Sequence, residues 1–285
     1  MAKKTETENL QDEVKKEGQA QGLKNQAAAP LAITSINLEE DAGAGQESMS
    51  REDYAIPRLS ILQALSPQVK KKGEGYIEGA EEGMIFDSVS QTLRDGEKGI
   101  RVVPVTYRRT FIEWKTRENG GGFVADHGKE GSNLLSTATR NDKGQDILPN
   151  KNQLVATAEY FVMVVNEDGS FSPYVITMTG SQLKKSRQWN TMINQLRVPT
   201  SDGKGTFNPA MFYSSCLLST VPQSNNEGSW FGWKISPSDP VLSLQNGESL
   251  YIACRTLRAS ILAGEVQASK PSEQASHEED DSSPM

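Results

Sequence analysis

Hydrophobic positions recur at every second residue through much of the middle of the chain. They recur at every third or fourth residue in only a few places. Residues 100–115 read IRVVPVTYRRTFIEWK, β-branched and aromatic almost throughout. They predict a long strand in which Pro104 is tolerable only at an edge or a bulge. Residues 154–165 and 174–179 predict a hairpin across Asn166-Glu167-Asp168-Gly169. Residues 211–221 and 230–235 predict a further pair across the polar loop 223–228, and 84–89 a shorter strand. Helical spacing is confined to residues 181–196, with Leu183, Trp189, Met192, Ile193 and Leu196, and to Leu250, Cys254, Leu257 and Ile261. Pro199 and Gly264 stop the two helices. A short apolar stretch, 59–65, follows Pro57 and stops at Pro67. Five or six strands and two main helices predict a mainly β fold with helical additions (α+β), an OB-like small β-barrel. The chain has no internal repeat of roughly 20–50 residues, which excludes a solenoid or propeller.

Composition divides this picture into three. All aromatic residues lie between Tyr54 and Tyr251. Residues 1–50 carry 5 basic and 9 acidic side chains, residues 51–262 carry 24 and 22, and residues 263–285 carry 1 and 6. Segments poor in large apolar groups cannot offset the roughly 1–2 kcal/mol per residue that backbone ordering costs. The expected organisation is a disordered arm over 1–50, one folded domain over 51–262 and a disordered acidic tail over 263–285. A net charge of −7 excludes a uniformly basic nucleic-acid coat. Cys216 and Cys254 cannot build a disulfide framework or a four-cysteine zinc site, and His127 and His277 leave little for metal chemistry. Neither a cofactor nor a metal is expected. With no apolar run near 18 residues and no secretory signal, the expectation is a soluble protein of a reducing compartment that does not contact membrane.

Candidate chemistry follows from aromatic and basic residues placed together. On the long strand Tyr107, Arg109, Phe111, Glu113 and Lys115 share one face by alternation, and Arg108, Ile112 and Trp114 the other. Arg117 opens a loop in which Gly120, Gly121 and Gly122 let backbone approach a ligand closely. Trp230, Trp233 and Lys234 repeat the pairing, and the first helix adds Lys184, Lys185, Arg187 and Trp189. Bases stacking on aromatic faces, with cations following phosphates, are what single-strand binding requires. Phe111, Tyr160 and Phe161 read better as core; Trp114 and Trp230 fit burial or stacking. The glycine runs 73–79 and 203–205 lack the spacing of phosphate loops and read as turns, while Lys70-Lys71-Lys72 is a solvated charge run or a guide for a phosphate backbone. An enzymatic alternative exists: Glu113-Trp114-Lys115 with Asp87 or Asp95 has the carboxylate and lysine spacing of a divalent-metal nuclease. A third reading is a virion or assembly component without nucleic-acid contact. The acidic cluster Glu278, Glu279, Asp280 and Asp281 reads as an interaction tail.

Residues 54–59 (YAIPRL), 107–114 (YRRTFIEW) and 120–123 (GGGF) resemble a family of tailed-phage proteins from replication modules. Several of its members are regarded as single-stranded-DNA-binding proteins with an OB-like core. The resemblance spans 54–263. It implies a non-enzymatic, sequence-tolerant protein of DNA replication or recombination in the cytoplasm of an infected bacterium. The partners so implied are single-stranded DNA and, through the tail, phage replication proteins such as a polymerase or a helicase/primase. A homo-oligomer is compatible with it. The last residue, Met285, departs from the terminal Phe of the bacterial single-strand binders.

Overall fold

The structure is a computed structural model, and it describes residues 40–49, 53, 55–226 and 228–269. Residues 40–49 belong to a separate unit and form an exposed run of turns. The second unit begins at Ser50. Its strands are β1 (Ala55–Ile56), β2 (Arg58–Ile61), β3 (Ile85–Asp87), β4 (Leu93–Arg94), β5 (Ile100–Trp114), β6 (Phe123–Asp126), β7 (Thr139–Arg140), β8 (Asp146–Ile147), β9 (Gln153–Val165), β10 (Phe171–Met178), β11 (Val198–Pro199), β12 (Thr206–Phe207), β13 (Ser214–Ser224), β14 (Ser229–Pro240) and β15 (Gln267–Ala268). Its two α-helices among the described residues are α1 (Gln182–Gln195) and α2 (Gly247–Leu262). The fold is mostly β, a mixed sheet curled into a half-barrel.

The main sheet runs β14-β13-β5-β9-β10-β2-β3-β4, with β6 added beside β5 and β8 beside β9. Only the β10–β2 pairing in it is parallel. Its spine is the long antiparallel ribbon of β5 and β9, paired from Arg101–Val165 to Trp114–Gln153. Pro104 lies beyond the last β5–β13 pair and beside a bulge between Pro104 and Thr106, where a strand proline is tolerated. The bulge shifts the side-chain parity by one. Val103 and Val105 therefore face one layer, while Tyr107, also an odd position, faces the other.

Each face of the ribbon buries one helix. Tyr160, Val162 and Val164 of β9 pack with Leu59, Ile176, Leu218 and Trp233 beneath Trp189 of α1. Phe161 and Met163 pack with Val175 and with Leu250, Cys254 and Leu257 of α2. The buried positions Gln182, Ser186 and Trp189 fall at i, i+4 and i+7, as do Leu250, Cys254 and Leu257, so each helix shows one stripe to the sheet. Tyr160 fastens α1 from below: its ring stacks on Trp189 at 4.3 Å and its hydroxyl meets Ser186 Oγ at 2.8 Å and Asn190 Oδ1 at 2.9 Å. Burial pushes that hydroxyl well above the ordinary tyrosine range. At the far end of the ribbon the strands carry two smaller clusters, Phe111 with Leu148 and Leu154, and Ile112 with Trp114 and Val155.

The curl is held by side chains that act as strands. The amide of Gln63 donates to Phe231 O and accepts from Phe231 N, both at 2.8 Å, so one glutamine bridges the edge of β14. Gln182 Oε1, at the start of α1, accepts from Trp233 N at 3.0 Å. Thr220 Oγ1 donates to Gly83 O at 2.6 Å, and Gly96 O accepts from Thr220 N at 2.8 Å. An edge strand with unpaired N–H and C=O groups invites foreign strands, and these bonds cover it.

The short apolar stretch after Pro57 forms strand β2, with Leu59 and Ile61 alternating into the core while Ser60 stays half-buried. The folded body does not stop at 262. After α2 the chain turns at Gly264 and β15 pairs in parallel with β1, with Gln267 opposite Ala55 and Ala268 opposite Ile56. Arg58 Nε donates to Ser269 O at 2.6 Å. Val266 and Ala268 pack on the α2 side, while the turn at 263–265 stays exposed, and backbone pairing replaces the missing apolar bulk.

Candidate nucleic-acid interface

The aromatic and basic residues named above separate into those the fold consumes and those it leaves outside. On β5 most are consumed. Tyr107 is half-buried against Tyr160, 5.1 Å between ring centroids. Arg108 gives its Nε to the buried carboxylate of Glu159 and an Nη to Asp126 at 3.2 Å, and lies over Phe161. Glu159 is shared with Arg58, whose Nη2 donates to it at 2.8 Å. A carboxylate with almost no access to solvent needs such partners, since an unpaired buried charge costs several kcal/mol. Arg109 is exposed and lies over Phe111, 5.7 Å from its centroid, and Lys115 is exposed. Arg117 lies in the short turn Arg117–Asn119.

Three tryptophans are not stacking platforms. Trp114 is 3% exposed, edge-on to Phe123 at 5.9 Å. The triple-glycine loop explains this: Gly120, Gly121 and Gly122 have φ of 92°, 66° and 108°, and these conformations turn the chain back so that β6 covers Trp114. The glycines serve the strand reversal. Trp189 is 0% exposed and Trp233 1%, both in the core beneath the curl. Each belongs to the inward stripe of its element, a parity the sequence alternation carried but single residues did not reveal.

The nuclease constellation does not assemble. Asp87 lies on β3, and the register runs from it through Leu59, Ile176 and Tyr160 to Tyr107, four strands across the sheet and six residues short of Glu113. Its carboxylate is already occupied by Tyr174 Oη at 3.0 Å and by Val89 N and Ser90 N. Asp95 accepts from Glu97 N and Lys98 N in a surface turn. Glu113 is enclosed at the far end of the ribbon, where His127 Nε2 sits 2.7 Å from Oε2 and the amides of Asn150 and Asn152 reach Oε1. Burial pushes the Glu113 carboxyl up, but these hydrogen bonds outweigh it and hold it below its ordinary value. The described residues hold no group of three or more metal-ligating side chains. Cys216 and Cys254 are free and buried, and burial pushes Cys254 up to about 12, far from a nucleophile's range. A groove of about 680 Å³ between β10 and α2, lined by Ile56, Met163, Tyr174 and Leu257, is apolar apart from a few groups such as the occupied Asp87.

What the fold leaves outside gathers at the seam. Trp230 is half-exposed, and its Nε1 donates to Gln223 Oε1 at 3.1 Å. The same oxygen accepts from Gln182 Nε2 at 3.2 Å, which ties the indole to the first turn of α1. That helix carries Lys184 and Arg187 exposed and Lys185 half-exposed, and Lys234 is exposed four register pairs further along β14, on the same face by alternation. None of these four cations has an ion pair among the described residues. On the other side of β14, Phe231 touches Gly83, where an added Cβ would meet its ring at 2.6 Å, and Gln63. Those two residues bracket the loop that carries Lys70, Lys71, Lys72 and Tyr76, the last 36% exposed. Helix α1 and the β13–β14 pair, distant in sequence, thus bring an indole and a set of cations to one seam. Sequence reading missed Gln63, Gln182 and Gln223, for which there was no signal. Glu278, Glu279, Asp280 and Asp281 lie outside the described residues, as does Tyr54.

This is a β-sheet protein with a cation-lined seam and, among its described residues, no helix long and apolar enough to cross a membrane. It is a phage protein: the chain belongs to the Pam3 phage gp34-like family, which it matches over residues 24–267. Comparison with curated proteins gave no match, and comparison with solved structures gave none.

Proposed function

We propose that this protein binds single-stranded DNA without sequence preference and without catalysing a reaction, in the service of phage DNA replication or recombination. The observation that carries the reading is the seam: Trp230, fixed edgewise by Gln223 and left half-exposed, beside Lys184, Lys185, Arg187 and Lys234, which have no ion pair among the described residues. A strand lying there exchanges its counterions for these cations while a base stacks on the indole. Gln223 fixes the ring before DNA arrives, so little rotamer freedom is lost on binding. The acidic residues Glu278 to Asp281 lie beyond the family match and fit a tail offered to a replication partner.

The test is a tryptophan-quenching titration with poly-dT across a salt series. Since the other three indoles are buried, Trp230 is the expected reporter. Trp230→Ala should weaken binding by about 1–3 kcal/mol with folding intact. Replacing Lys184, Lys185 and Arg187 with Ala should lower the slope of log affinity against log salt by roughly 0.7 for each lost phosphate contact. Absence of binding at about 50 mM salt, where non-specific affinity is high, overturns the proposal. Shortening of the oligonucleotide on addition of magnesium would turn it into a nuclease.

A further inference from the structure

The hairpin of β11 and β12 stands apart from the main sheet, paired only with itself through Val198–Phe207 and Pro199–Thr206. It is nevertheless fixed. Thr200 N donates to Gly205 O at 2.9 Å and Thr200 Oγ1 accepts from Gly205 N at 3.1 Å, closing the turn. Its base is tied to the end of α1: Asn208 Nδ2 donates to the carbonyls of Ile193, Asn194 and Leu196 at 3.1–3.2 Å, and Arg197 Nη1 to those of Asn194 and Leu196. A helix end left with bare carbonyls is thereby capped. On this rigid arm Phe207 is 47% exposed and Lys204 is exposed with no ion pair among the described residues. Phe207 belongs to none of the buried hydrophobic clusters among the described residues. Residues 181–208 carry five basic side chains and one acidic one, in a chain whose net charge is −7.

We infer that this hairpin is a second contact for the same nucleic acid, with Phe207 as a base-stacking platform and Lys204 meeting phosphate. The inference rests on the single-strand reading of the seam. Helix α1 sets the spacing. Its first turn joins Trp230 through Gln182 and Gln223, its last turn carries the hairpin, and Lys184 and Arg187 are exposed along the way. Fourteen helical residues span about 21 Å, at about 1.5 Å each. A stacked strand advancing about 3.4 Å per nucleotide covers that span in about six nucleotides. Such a footprint falls within the roughly 4–16 nucleotides that single-strand-binding folds occupy.

The experiment compares dT4 with dT12 on the full chain and on Phe207→Ala. The variant should bind dT12 about five- to 150-fold more weakly, the worth of one stacked base, and dT4 within about two-fold of the parent. Phe207→Trp provides a second measurement: its added emission should be quenched by dT12 and not by dT4. If the parent chain binds both oligonucleotides and Phe207→Ala matches it on both, the inference is overturned and the seam reading stands. Equal losses on dT4 and dT12 overturn the spacing set by α1. Failure of the parent chain to bind either oligonucleotide removes both readings.

Discussion

Strand β5 and helix α1 carry three cations each and use them in opposite ways. On β5, Arg101 meets Asp239 at 2.7 Å, Arg108 meets Glu159 and Asp126, and Arg109 lies over Phe111. On α1, Lys184, Lys185 and Arg187 have no ion pair among the described residues. The strand looked like the stronger nucleic-acid signal because its cations alternate with aromatics. In the fold that alternation builds the body: the aromatics are inward, and the carboxylates that answer the arginines arrive from β6, β9 and β14. The helix carried the same signal with a single tryptophan, and in the fold its cations are left without an ion pair among the described residues. Charge density along a chain and charge available to a ligand are separate quantities, divided by whatever acidic groups the topology brings alongside.

The sharpest contrast lies between two tryptophans associated with that helix. Trp189→Ala should cost about 3–5 kcal/mol by emptying the space over Tyr160, and should lower the midpoint of a urea or thermal unfolding curve accordingly. Trp230→Ala should barely move the same curve. Similar midpoints for the two variants would erase the distinction between core and platform. Next in size is the buried carboxylate that Arg58 and Arg108 share. Glu159→Ala leaves Arg58 buried without its carboxylate and should destabilise the fold by about 3 kcal/mol, whereas removing any one α1 cation should leave stability unchanged. Unfolding measured at two salt concentrations checks this, because a buried pair is screened much less than a surface one.

The smallest effect is pH-dependent and sits at the far end of the ribbon. The Glu113 carboxyl is held below its ordinary value of 4.5, so folding binds it preferentially in the charged form. That stabilisation is fully present above 4.5 and is lost as pH falls through the lower folded-state value. Unfolding curves taken downward from neutral pH should lose stability in that acid window, and Glu113→Gln should flatten the loss. An unchanged acid profile in the variant would mean that the bonds from His127, Asn150 and Asn152 contribute nothing net.

The elements themselves were legible. Period-two patterning placed β5, β9, β10, β13 and β14 within a few residues, and the apolar stripes placed both helices. Pro104 announced an edge or a bulge, and a bulge lies beside it. The outcome of burial was harder to read. Trp114, Trp189 and Trp233 sit on positions whose parity is inward only once the partner layer is known, and alternation alone gives two faces without saying which is wet. The seam was illegible for another reason. It is made by Gln63, Gln182 and Gln223, whose side chains stand in for backbone, and a polar residue gives no periodic signal of that use. The short strands β1 and β15 escaped for want of length: two residues make no pattern, and their pairing joins positions more than two hundred residues apart.

That last pairing means that the body described between residues 55 and 269 begins and ends at one corner. Two adjacent strands lie about 4.8 Å apart, so Ala55 and Ser269 can be joined by a linker of a few residues. The loop between β13 and β14, at residues 225–228, could then be cut to give new ends. The order in which this body is written along its gene is thus separable from its architecture, and a chain rewound to start at Ser229 and finish at Ser224 would keep the same neighbours in space.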